Sequence, residues 1–100
     1  MKFGLKEDIV EKITGVFASI FEIDEVIIYG SRAKGDNKKG SDIDIVLKGE
    51  KLTLNELNKI SLALDDLLLP YTFDLSIYHR IKNSELLDHI NRIGKILYSR

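Results

Sequence analysis

Gly30-Ser31-Arg32-Ala33-Lys34-Gly35-Asp36-Asn37-Lys38-Lys39-Gly40-Ser41-Asp42-Ile43-Asp44-Ile45-Val46-Leu47 is the most informative stretch of this 100-residue chain. It begins where a β-branched and aromatic run, Glu25 to Tyr29, ends at a glycine, the pattern of a buried strand followed by a turn. Arg32, Ala33 and Lys34 can open a short helix behind Gly30-Ser31. A strand, a glycine and a helix start present free backbone N–H groups to an anion, and the Ser31 hydroxyl adds a further donor. Farther on, Ile43, Ile45 and Leu47 alternate with Asp42, Asp44 and Val46, the period of a second strand ending near Gly49.

Outward from this stretch the periodicity continues. Ile9, Ile13, Val16, Phe17 and Ile20 recur at helical spacing and predict an amphipathic helix over about residues 5–21, weakened slightly by Gly15. Thr53 with Glu56 three residues on is a capping-box signature, and Leu57, Ile60, Leu64, Leu67 and Leu68 follow it until Pro70 stops the helix. Phe73, Leu75 and Ile77 alternate with Thr72, Asp74 and Ser76 as a third strand. Leu86, Leu87, Ile90, Ile93 and Leu97 predict a last helix from about residue 84, trailing into an extended end at Ile96 to Tyr98. The order α-β-β-α-β-α predicts a small α/β (α+β) domain with about three central strands and helices packed on one face. The other face is then able to carry polar, functional side chains.

Composition bounds the function. The chain is 44% hydrophobic and 31% charged, with no repeat, low-complexity tract or linker, so residues 1–100 read as one soluble domain. Fifteen Lys plus Arg against sixteen Asp plus Glu leave a net charge of −1, so no global field recruits nucleic acid or an anionic membrane. The absence of cysteine excludes a disulfide scaffold and cysteine-based zinc sites, and fits a reducing compartment. The longest apolar runs, Val26 to Tyr29 and Leu67 to Tyr71, fall far short of a membrane span, and the N-terminal stretch turns acidic at Glu7-Asp8. A cytoplasmic location is expected.

Asp42 and Asp44 point to the same face of their strand, roughly 6.6–6.8 Å apart along the chain. Two such carboxylates repel, and a hard divalent cation between them relieves the repulsion. Oxygen-only ligands favour Mg²⁺ or Mn²⁺ over zinc. Asp74 holds the corresponding outward position on the third strand. If the second and third strands are neighbours, about 4.8 Å apart, the three acids converge on one patch. Three acids beside an anion-binding turn are the parts required for two-metal phosphoryl or nucleotidyl transfer. The remaining polar groups read more plainly. Lys34, Lys38 and Lys39 are a solvated loop, Asp65-Asp66 a solvated helix face, and Tyr29 a core residue rather than a base-stacking platform. His79, just after the third strand, can line the site, whereas His89 reads as helix surface. Gly35 to Gly40 imitates the glycine spacing of a P-loop, but Ser41-Asp42 stands where Lys and then Ser or Thr are required.

Gly30-Ser31-Arg32-Ala33-Lys34-Gly35 followed by Ser41-Asp42-Ile43-Asp44 resembles the signature of the minimal nucleotidyltransferases of the DNA polymerase beta superfamily. The order of elements and the third acid, Asp74, agree with that family over nearly the whole chain. The resemblance implies a nucleotidyltransferase fold with a small mixed sheet, and an enzyme that binds a nucleoside triphosphate with Mg²⁺. Such an enzyme transfers the nucleoside monophosphate, here AMP from ATP, to a hydroxyl and releases pyrophosphate. It further implies that Gly30 and Ser31 hold the triphosphate, with Arg32 and Lys34 as looser phosphate contacts. Asp42 and Asp44 would ligate both metals, and Asp74 the metal nearer the acceptor, helping to deprotonate the attacking hydroxyl. Short members of this kind resemble antitoxins paired with an all-helical HEPN partner, some of which attach AMP to a tyrosine of that partner. A chain of this length supplies a catalytic core but little surface for an acceptor, which agrees with an acceptor site shared with another chain. Two other readings compete: a binding module that neutralises its partner by occlusion, and transfer to a small molecule such as an aminoglycoside. Occlusion needs none of the acids, and drug-modifying enzymes use an extra domain that is not seen here.

Overall fold

Helix α1, Glu7–Ala18, carries Glu7 and Asp8 in its first turn, where the partial positive charge of the helix start favours them, and buries Ile13 and Phe17. It is the first element of a computed structural model that describes residues 2–100. The helix is shorter than the periodicity suggests. Leu5, fully buried, enters the core from a tight bridge with Lys2.

Strand β1, Glu25–Tyr29, pairs antiparallel with β2, Ile43–Lys48, and β2 pairs parallel with β3, Phe73–Ile77. Helix α2, Ser31–Lys34, follows β1 directly, and α3, Leu54–Asp66, makes the crossover between the two parallel strands. A 3-10 turn, Tyr78–Arg80, leads to α4, Ser84–Ile93. The sheet has four strands, not about three, in the order β3-β2-β1-β4. The fourth, β4, Lys95–Ser99, lies antiparallel to β1 and absorbs the Ile96 to Tyr98 segment. Gly94 divides it from α4. A Cβ at Gly94 would lie 2.6 Å from Ile27 Cγ2, so only glycine lets the helix end this close to β1.

The helices occupy both faces of the sheet, which differs from the one-face packing read from the sequence. On one face Val26, Ile28, Ile43, Ile45, Leu47 and Ile77 close on Ile13 and Phe17 of α1 and on Ile60 and Leu64 of α3. On the other, Ile27, Tyr29 and Val46 form a second cluster with Ile90 of α4. The reason is β1 itself. Val26-Ile27-Ile28-Tyr29 is apolar at every position, and a continuous apolar strand must be covered on both sides. Helix α4 covers the β1 half of this second face and leaves its β2–β3 end to polar residues. Among the described residues no helix is long and apolar enough to cross a membrane.

Helix α3 starts with the capping box expected from Thr53 and Glu56. The Thr53 hydroxyl accepts from the Asn55 N–H at 3.2 Å, and the Glu56 carboxylate accepts from the Thr53 N–H at 2.7 Å. Replacing Thr53 with Ala is expected to lower stability by about 1 kcal/mol. Urea denaturation checks this, with the midpoint falling at constant slope.

Candidate functional site

The register of the sheet decides which side chains meet. Tyr29 stands opposite Asp44 across β1 and β2, and Asp44 stands beside Asp74 across β2 and β3. One row across the partly open face therefore reads Tyr29, Asp44, Asp74, and the row behind it reads Ile27, Val46, Ser76. Asp42 lies two residues before Asp44, just ahead of β2, and its charge reaches Asp44. Like charges in neighbouring strand positions are unfavourable. The cost registers on Asp44, whose carboxyl is pushed above the ordinary aspartate range first by burial and then by the charges of Asp74 and Asp42. The Tyr29 hydroxyl is pushed up as well, by burial and then by Asp74 and Asp44, against a hydrogen bond with Ser76.

None of the three acids is neutralised by a basic side chain in an ion pair. Among the described residues the ion pairs are Lys48 with Glu25 at 3.7 Å and Arg92 with Asp88 at 2.9 Å. The acids share a face without closing into a finished cage: among the described residues no group of three or more Asp, Glu or His side chains is already gathered as a metal-binding set. Their chemistry nonetheless suits one kind of guest. An oxygen-only set of mutually repelling carboxylates, one of them held at a raised pKa, fits a hard dication such as Mg²⁺ or Mn²⁺.

The Gly30-Ser31 turn lies directly against this row. Gly30 has φ 73° and ψ −153°, a region only glycine enters readily. A Cβ there would also run into the Asp44 carboxylate. Its carbonyl accepts from the Lys34 N–H at 3.2 Å and so starts α2, with Ser31 as the first helical residue. The turn and the acids are thus immediate neighbours.

Arg32 departs from its expected place among the nucleotide-binding residues. It is only 2% exposed, and its guanidinium is directed inward. Nε and Nη2 donate to the Ser41 carbonyl at 3.1 and 2.8 Å, and Nη1 donates to the Phe3 carbonyl at 2.8 Å. The guanidinium also lies 5.1 Å from the centre of the Tyr71 ring. Arg32 therefore anchors the residue before Asp42 rather than reaching toward phosphate. Lys34, the last residue of α2, and Lys38 and Lys39 in the loop after it are all exposed to solvent. His79 does not line the site: it sits at the opposite end of the sheet, in a cavity with Asp24, Lys48 and Tyr78. His89, read as helix surface, belongs beside the turn instead. Its Nε2 accepts from the Gly30 N–H at 3.3 Å, and its ring stands edge-on to Tyr29 with centroids 6.1 Å apart. The spacing of Leu86, His89 and Ile93 at i, i+3 and i+7 was the signal that places His89 on the inner side of α4.

Two outcomes follow from this geometry. Gly30→Ala is expected to cost about 1–3 kcal/mol from its backbone conformation alone, which urea denaturation checks. Asp44 binds its proton more tightly in the folded than in the unfolded chain. Without divalent cation, stability should therefore fall as pH rises from the ordinary aspartate range through the raised pKa of Asp44. Asp44→Asn should flatten that fall and melt higher than wild type at neutral pH, as thermal melts across pH in the presence of a chelator would report.

Comparison with known proteins identifies the family and the fold. The family model described as "Polymerase beta, Nucleotidyltransferase" matches residues 11–100. A Methanocaldococcus jannaschii protein named for protein adenylyltransferase activity is 33% identical over 76 residues, which cover 73% of this chain and 77% of that protein. The fold is similar to a chain of a toxin–antitoxin pair crystallised with AMP-PNP, with a TM-score of 0.72 and 22% identity over 96% of this chain and 75% of that one. It is also similar to a chain of the complex between a tri-AMPylated HEPN toxin of Shewanella oneidensis and its MNT antitoxin, with a TM-score of 0.70 and 18% identity over 96% and 74% of the two chains. A minimal nucleotidyltransferase gives a TM-score of 0.69 at 22% identity, with 95% of each chain covered. With the family model matching nine-tenths of its length, residues 11–100, this chain belongs to the polymerase beta nucleotidyltransferase family and is a nucleotidyltransferase.

Proposed function

We propose that this enzyme transfers AMP from ATP, in the presence of Mg²⁺, to a tyrosine hydroxyl of a HEPN-class helical partner, and so acts as that partner's antitoxin in the cytoplasm. The observation that carries the reading is the register that sets Asp44 beside Asp74, with Asp42 two residues away and the Gly30 turn against them. The relative named for adenylyltransferase activity supports AMP as the transferred group. The toxin–antitoxin structures of similar fold support the kind of partner.

The chain's own residues divide the work. Ser31 would hold the triphosphate through its N–H and hydroxyl, which stabilise the negative charge of the phosphates, while Gly30, its own N–H held by His89, shapes the turn and lets the phosphates come close. Asp42 and Asp44 would hold the two cations, with Asp74 completing the site nearer the acceptor. Bound Mg²⁺, or Mn²⁺ in its place, supplies electrostatic stabilisation of charge on the α-phosphate and on the departing pyrophosphate. Asp74 accepts the proton of the attacking hydroxyl as its oxygen forms a bond to the α-phosphorus, and the bond from that phosphorus to the pyrophosphate oxygen breaks.

The test uses α-labelled ATP, Mg²⁺ and the purified HEPN-class partner. Wild type should label the partner on tyrosine, as peptide mass spectrometry would locate. Asp42→Asn combined with Asp44→Asn should lower transfer about a thousandfold or more, because several kcal/mol of cation-dependent stabilisation is removed. Unlabelled partner with fully active wild-type folding would defeat the proposal. Equal rescue of growth by wild type and the double variant would favour occlusion instead, and label on a small molecule would redirect the acceptor.

A further inference from the structure

We propose that His89 is a positioning residue for the nucleotide: its Nε2 holds the Gly30 N–H and thereby fixes the turn that receives the triphosphate. The proposal rests on the reading of Gly30-Ser31 as that turn. No motif marks His89, and it lies 59 residues from Gly30 in the chain.

The place of His89 is set by how firmly α4 is seated. Ile90, next in sequence, is 3% exposed in the cluster with Ile27, Tyr29 and Val46. Gly94 brings the end of the helix against Ile27. The Tyr78 hydroxyl donates to Asn91 Oδ1 at 3.2 Å, and Asn83 caps the helix start by accepting from the Glu85 and Leu86 N–H groups at 2.9 and 3.1 Å. The imidazole is thus delivered by a rigid element, the condition under which a supporting hydrogen bond can hold geometry.

What it holds is the one residue of the turn with the most freedom. Strand β1 ends at Tyr29, so the Gly30 N–H lies beyond the bounds of the strand and finds its acceptor in His89. A glycine has the widest choice of backbone conformations and loses the most entropy when ordered. Pinning its N–H fixes the peptide plane between Tyr29 and Gly30, and with it the direction in which Ser31 and the start of α2 face. An imidazole that accepts at Nε2 carries its proton on Nδ1. The edge-on contact with Tyr29 holds the ring in this orientation. Preorganisation of this kind acts on binding more than on the chemical step.

Three variants separate the hydrogen bond from simple packing. His89→Leu keeps bulk and loses the acceptor, His89→Gln can offer an amide oxygen where Nε2 stood, and His89→Asn is polar but too short to reach. Calorimetry with ATP and Mg²⁺ should show binding weakened about tenfold in the Leu and Asn variants and within about threefold of wild type in the Gln variant. In the transfer assay, KM for ATP should rise by the same factor in the Leu variant, with kcat at saturating ATP changed less than about threefold. The Gly30 amide resonance in a ¹H–¹⁵N spectrum of the nucleotide-free protein should move in the Leu and Asn variants and return in the Gln variant. Wild-type affinity in the Leu variant, equal affinities of the Gln and Asn variants, or an unmoved Gly30 resonance would each overturn the proposal. Should the Leu variant fail to fold, the Gln and Asn pair still decides it. A wild-type protein that binds no ATP overturns the reading of the turn itself, whereas normal wild-type binding with unaffected variants overturns the role of His89 alone.

Discussion

Two carboxylates, Asp44 and Asp74, are held side by side by the parallel ladder between β2 and β3. Coulomb's law sets the size of the conflict. At the roughly 4.8 Å spacing of neighbouring strands, two unit charges repel by about 1 kcal/mol in water and about 3 kcal/mol at the effective dielectric of a protein surface. The opposite face of the same ladder supplies the answer. Ile43, Ile45 and Leu47 are fully buried there, and side chains of this kind stabilise by about 1.5–3 kcal/mol each. A slip of one residue would turn all of them toward solvent. The apolar face therefore dictates the register, and the acids are left with a repulsion that a dication can relieve. Local instability at the site is imposed by stability elsewhere in the sheet.

Arg32 contributes by what it does not do. A buried guanidinium close to an acidic site would ordinarily pair with a carboxylate, and pairing with Asp42 would cancel much of the field that attracts a cation. Here its donors go to the Phe3 and Ser41 carbonyls and its face lies over Tyr71. Backbone oxygens and a ring face solvate the charge without neutralising the acids. The same contacts tie together the N-terminal turn, the loop that leads into β2 and the segment ahead of β3. The three acids depend on all of these segments keeping their places.

Much of this was legible in the chain. Alternation in β2 and β3, the capping box of α3 and the glycine-serine turn after β1 are short-range patterns, and each element formed where its pattern lay. Long-range outcomes were less visible. Leu97 continues the helical spacing of Ile90 and Ile93, so β4 was masked until Gly94 divided helix from strand. The second covered face could have been read from the unbroken apolar run Val26 to Tyr29. The inward turn of Arg32 could not, because an arginine behind a glycine-serine turn has the same one-dimensional appearance whether it faces phosphate or carbonyl oxygen. His89 was hidden for a related reason: its partner is a backbone N–H, which carries no residue signature.

The crossover through α3 has a consequence for the order of events as the chain folds. Asp42 and Asp44 precede that helix and Asp74 follows it, so the acids become neighbours only after the intervening segment has looped back and docked. Contacts of this sort form late, since their entropic cost is met before they return any energy. The concentrated negative charge is therefore absent from early, half-formed states and arises only when buried Ile60 and Leu64 already hold α3 against the sheet. Partly folded chains are thereby spared the repulsion that the finished molecule withstands.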